Sequence, residues 1–285
     1  MPSGAIARGV LAAVCLGSSL GCGGGSSDGD GSDTTGLGVV SLGLSATGAD
    51  TNGVPDETRG PVLDVGVLPD LMAGDTSSEE CDGLEAIMRD FQIAHPDFEV
   101  YSGTNASVGL VLPTLGADRT PELDPSYAGA PMITSADTFA QWYHDVPGTN
   151  MAFPIDLMLT DEGNGEYAFD STAFFPLDDM GFGNEGNPHN FHFTTEVHTS
   201  FTYEGGEVFT FRGDDDLWMF VDDQLAIDLG GLHPALEASV DMDTLGLEVG
   251  QTYPMDIFHA ERHTNESNFR IVTTIECFVT PPPPA

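Results

Sequence analysis

The stretch Phe209-Thr-Phe-Arg-Gly-Asp-Asp-Asp-Leu-Trp-Met-Phe-Val-Asp-Asp-Gln-Leu-Ala-Ile-Asp-Leu229 reads as strand, acidic hinge, strand, turn and strand. Phe209 and Phe211 take one parity of an alternating segment, the pattern of a half-buried strand. Leu217 to Val221 is apolar without interruption, as in a strand covered on both faces. Asp222-Asp223 breaks the run as a turn, and Gln224 to Leu229 returns beside it. Upstream, Phe191, Phe193, Val197 and Phe201 share one parity while His192, Thr194, Glu196 and His198 share the other, so this too reads as a half-buried strand. Downstream, Asn268 to Val279 reads as a final strand. A single helix is predicted: Ser135 caps it, Phe139, Trp142 and Tyr143 have i, i+3, i+4 spacing, and Pro147-Gly148 ends it. Strands do not alternate with helices, and no internal repeat occurs. Residues 81–279 are therefore predicted to be an all-β domain, an antiparallel, jelly-roll-like β-sandwich with one short helix and long loops.

Charge narrows the partners. The 285 residues carry 7 Lys+Arg against 46 Asp+Glu, a formal net charge of −39, and every cation is arginine. Phosphate backbones and anionic membrane surfaces are held by basic patches, which this composition excludes. Excess acid fits a solvated secreted surface, a cationic partner or bound Ca²⁺.

Residues 1–21 have the features of a signal peptide: an apolar run from Ile6 to Leu20 with Arg8 as its only charge, too short to span a bilayer. Its end, Ser19-Leu20-Gly21-Cys22, resembles a bacterial lipobox, which implies lipidation of Cys22 and an outer-membrane or cell-surface location; plain secretion is the alternative. Residues 22–80, rich in Gly, Ser, Asp and Thr, are expected to be a flexible tether, and 280–285 a Pro-rich tail. Within the tether, Asp28, Asp30 and Asp33 sketch a Ca²⁺ loop, but Val39 stands where a bidentate acid is needed. With Cys15 leaving with the signal and Cys22 acylated, Cys81 and Cys277 remain near the ends of the domain. An exported compartment favours a disulfide between them; two buried thiols are the alternative.

The chemistry concentrates in Asp214-Asp215-Asp216. Three consecutive carboxylates between apolar strands repel one another unless solvated or neutralised by a hard cation such as Ca²⁺. Several motifs around them occur in one order: Pro176-Leu-Asp, Gly181-Phe-Gly, His189-Asn-Phe-His-Phe-Thr-Thr-Glu196, Phe209 to Asp216, Ile227-Asp-Leu-Gly-Gly-Leu-His233 and Phe258-His-Ala-Glu-Arg-His263. Over about Arg89 to Cys277 this series resembles the bacterial fibro-slime domain, itself similar to the protective-antigen-type β-sandwich that includes flocculin-like adhesins. The resemblance implies a sandwich in which an Asp-Asp pair, often joined by a cis peptide, holds Ca²⁺, and Ca²⁺ holds sugar hydroxyls. It places the pair at Asp214 and Asp215, with Asp216 standing where the pattern has Gly, so the register is open by one residue.

Other residues have two readings. Trp142, Tyr143 and Trp218 can stack on a sugar or pack in the core, and His233 can contact ligand or hydrogen-bond its own loop; Trp218, His233 and Trp142 are the candidate ligand contacts. His192, Glu196 and His198, with His189 nearby, can bind Zn²⁺ or simply line a polar strand face. Glu261-Arg262-His263 can be an acid/base site or an intradomain ion pair. Nucleophile-elbow, zinc-protease and phosphate-loop motifs do not occur. The expectation is a non-catalytic, Ca²⁺-dependent module that binds carbohydrate or matrix; the alternatives are a structural matrix protein stabilised by Ca²⁺ and a polysaccharide hydrolase.

Overall fold

The computed structural model describes Cys81 and residues 83–279. The expected signal peptide, tether, Cys22 lipidation and Pro-rich tail lie outside the described residues. Among these, the strands are β1 Gly83–Phe91, β2 Asn150–Met158, β3 Thr160–Gly163, β4 Glu166–Ser171, β5 Phe193–Thr202, β6 Val208–Gly213, β7 Asp216–Val221, β8 Gln224–Leu229, β9 Leu236–Asp241, β10 Thr252–Glu261 and β11 Phe269–Thr273. They form two sheets, β2-β1-β5-β10-β7-β8 and β3-β4-β11-β6-β9, and the strand pairs are antiparallel. The expected β-sandwich is thus present.

Its core follows the parity of the sequence. Phe193, Val197 and Phe201 from one sheet and Phe209, Phe211, Phe269 and Ile271 from the other are fully buried in one cluster. A second cluster, with Trp142, Trp218, Phe220 and Phe258, covers the opposite face of the larger sheet. Hence Leu217 to Val221 is buried on both sides, as its unbroken apolar run predicts. The same cover buries most of the polar face of β5: Thr194 Oγ1 donates to the Trp142 carbonyl at 2.6 Å. Asp222 and Asp223 turn the chain with positive φ, +49° and +61°, the backbone that a two-residue hairpin requires.

Two elements are shorter than their sequence suggests. The helix is one turn, Ala136–Phe139, closed by a capping box between Ser135 and Thr138. Beyond Ala140 the chain turns Trp142 and Tyr143 into the second core, and the Gln141 and His144 carbonyls accept from Asn150 Nδ2 at 2.8 Å instead of continuing a helix. The last ladder ends at Thr273, although Ile275 and Phe278 still fill the core and Val279 bridges to Ser200. This path brings Cys277 to Cys81, with Cα atoms 4.6 Å apart and the disulfide formed.

Candidate functional site

The acidic hinge lies where the chain leaves one sheet for the other: β6 ends at Gly213 and β7 begins at Asp216. Asp214 and Asp215 are the crossover, and the peptide between them is cis. The chain passes so close to its neighbours here that a Cβ on Gly213 would lie 2.5 Å from the Asn268 carbonyl oxygen and 2.7 Å from the Phe211 ring.

Each acid is held differently. Asp214 accepts from the Asn268 backbone N–H at 2.6 Å and from Asn268 Nδ2 at 2.8 Å. Its carbonyl faces His259 Nε2 at 2.7 Å. Burial holds His259 down at about 4, so the ring is neutral at physiological pH and its Nε2–H donates. Asp215 accepts from the Arg262 backbone N–H at 3.0 Å. Burial pushes its carboxyl up to about 8, with Asp216 and Asp214 adding to the rise and Arg262 opposing it. Glu261 is buried behind them; burial and the two aspartates raise it well above the usual carboxylate range, and its Oε2 has no hydrogen-bond partner.

Asp216 departs from the expected role. It is fully buried, its Oδ2 takes Arg262 Nε at 2.6 Å, and its Oδ1 accepts from the Gly231 N–H at 2.5 Å. Arg262 also donates to the Asp97 and Met132 carbonyls and lies 4.8 Å over the Trp142 ring. Asp216 is therefore a structural counter-ion rather than a metal ligand, and Arg262 is an intradomain ion-pair partner. The two tryptophans are corrected as well. Trp142 and Trp218 expose no surface, so neither presents a ring face to a ligand. His233 lines the site, but both ring nitrogens lie within hydrogen-bond distance of carbonyl oxygens, of Leu229 at 2.9 Å and Pro234 at 3.0 Å.

Asp214 and Asp215 line an open hollow of about 230 Å³, whose other walls include Ser102, His233, His263, Asn265 and Glu266. Sequence reasoning missed the segment from Asn265 to Asn268 and missed His259. The signal for the first was present, since two amides and an acid lie between strands, but only the fold brings them to the hinge. Among the described residues, no three His, Cys, Asp or Glu side chains converge as a metal cluster. A cation at Asp214 and Asp215 would thus draw its remaining oxygens from amides, carbonyls, water or ligand, donors that suit Ca²⁺. The histidines with two readings, zinc ligands or a polar strand face, have separate partners. His192 faces Glu99, His189 faces Asp178, and His198 lies between Glu196 and Asp256.

The PA14 domain family matches residues 165–281 of this chain. The chain is 46% identical over 206 residues to protein psiD of Dictyostelium discoideum, covering 67% of this chain and 41% of psiD. To protein psiC of the same organism it is 45% identical over 197 residues, covering 64% of this chain and 38% of psiC. The chain thus spans about two fifths of the length of these curated relatives. Among solved structures it is similar to the epithelial adhesin 9 A domain of Candida glabrata, with 12% identity, 70% of this chain and 89% of that chain covered, and a TM-score of 0.33. The crossover with its aspartate pair, the Asn265–Asn268 segment that grips it and strands β4 to β11 lie inside residues 165–281, the span that is similar to the PA14 domain family.

Proposed function

We propose that this chain is a non-catalytic, Ca²⁺-dependent carbohydrate-binding module of the fibro-slime type, acting at a cell surface or in extracellular matrix. The observation that carries the reading is the placement of Asp214 and Asp215. Two adjacent carboxylates are fixed at the wall of an open hollow, where burial works against their ionised forms. A divalent cation reverses that penalty. Asp214 and Asp215 would hold the ion, with Asn265 and main-chain oxygens beside them. The bound ion would supply open coordination positions for vicinal hydroxyls. The rigid surroundings favour such a role: Asn268, His259 and the Arg262 backbone fix both aspartates before any ligand arrives.

The hydrolase alternative draws on Glu261, His263 or the aspartate cluster, and of these it loses Glu261. Glu261 is 1% exposed and does not line the hollow, and Arg262 is committed to Asp216. The disulfide suits an oxidising compartment, and among the described residues no helix is long and apolar enough to cross a membrane. A glycan array probed with the described domain, in millimolar Ca²⁺ and again with excess chelator, tests the proposal. Chelator-sensitive binding to defined glycans is expected. Binding that ignores the chelator would reject the Ca²⁺ role, and an empty array in Ca²⁺ would reject the carbohydrate reading.

A further inference from the structure

We infer that the hollow adjoining the aspartate site is a second subsite, which takes the next ring of a neutral oligosaccharide. The inference rests on the carbohydrate reading of the first hollow and deepens it. The second hollow has a volume of about 500 Å³ and shares Asn265 and Glu266 with the first. Asn268 lines the second hollow while its amide and backbone N–H hold Asp214. One short connection, between β10 and β11, thus borders both spaces.

The second hollow contains what the first lacks. Phe175 and His189 stack face to face, with ring centroids 4.0 Å apart and planes 5° from parallel. Phe191, itself buried, meets Phe175 edge-on at 4.9 Å and supports the pair. Asp178 holds His189 Nδ1 at 2.7 Å, and the His189 side chain remains 43% exposed. A rigid, half-exposed aromatic pair beside amides and a carboxylate matches the two-sided chemistry of a pyranose: C–H groups lie against rings and hydroxyls bond to polar groups. With Trp142 and Trp218 committed to the core, this pair takes over the stacking expected of them. Charge sets the ligand class. Apart from the pair assigned to the cation, Glu266 on the shared wall and Asp178 behind His189 leave the second hollow acidic, which disfavours uronic, sialylated and sulfated rings there and leaves neutral ones.

Calorimetric titration in saturating Ca²⁺ tests this, using the methyl glycosides of galactose, glucose and mannose against lactose, cellobiose and mannobiose. Wild type is expected to bind at least one disaccharide roughly tenfold more tightly than its monosaccharide. Phe175→Ala should erase that ratio and leave monosaccharide affinity unchanged, which also shows that the variant is folded. His189→Phe keeps an aromatic platform and should keep the ratio. Equal affinity for one and two rings in wild type, or a ratio that survives Phe175→Ala, would overturn the subsite while leaving the first hollow intact. If no sugar of either size binds wild type, the subsite and the carbohydrate reading both fall.

Discussion

Asp216 and Arg262 form an ion pair with no solvent exposure on either side chain. Removing one partner from such a pair strands the other charge in a low-dielectric interior, at a cost of about 3–5 kcal/mol. Asp216→Asn is therefore expected to lower the urea midpoint strongly with or without Ca²⁺; a mild effect that disappears on chelation would return Asp216 to the metal site. On the outer face of the larger sheet, His198 lies 2.5 Å from Asp256 and 2.7 Å from Glu196, which Arg119 and Arg89 also engage. Burial acts to lower His198, but its two carboxylate partners outweigh burial and raise it from 6.5 to about 9. A raised histidine stabilises the fold in its charged form. Its contribution is complete below pH 6.5 and is lost as pH rises through about 9. The stability difference between wild type and His198→Gln should shrink over that window; a difference that grows with pH would contradict the assignment.

At the level of elements, the junction of β6 and β7 depends on close approach. Adding a methyl group at Gly213 forces Asn268 away, and Asn268 is what holds Asp214. Gly213→Ala is expected to cost about 1–3 kcal/mol and to weaken cation binding, because strain at the crossover is relieved by moving a ligand. A stability loss with unchanged Ca²⁺ affinity would show that the junction and the site are independent. Much of this element was legible in the sequence. Period-two alternation located β5 and β6, the unbroken run located β7, and Asp222-Asp223 located the turn, because each signal is local. The roles of Asp216, His259 and Asn268 were not legible, because each partner sits 45 or more residues away along the chain. The helical spacing of Phe139, Trp142 and Tyr143 misled for a related reason. Those residues are apolar to fill the second core, and Asn150 rather than helix continuation satisfies the nearby carbonyls.

Across the whole molecule, the Cys81–Cys277 disulfide joins positions 196 residues apart. Restricting a loop of that length in the unfolded chain is worth up to about 5 kcal/mol, so Cys81→Ser with Cys277→Ser should lower the unfolding free energy by several kcal/mol in denaturant titration. A negligible change would mean that the sandwich closes its ends without the bond. The charge of −39 keeps copies of the molecule apart, and the cation proposed at the crossover would offset the carboxylates crowded there. The most direct measurement is the melting temperature of wild type and of Asp214→Asn with Asp215→Asn, each in millimolar Ca²⁺ and in excess chelator. An ion that binds only the folded state at a hundredfold excess over Kd adds about 2.7 kcal/mol. Wild type should therefore melt several degrees higher with Ca²⁺, and the double variant should melt at one temperature in both buffers. A wild type indifferent to Ca²⁺, or a double variant that keeps the full shift, would contradict the assignment of Asp214 and Asp215 as the cation site.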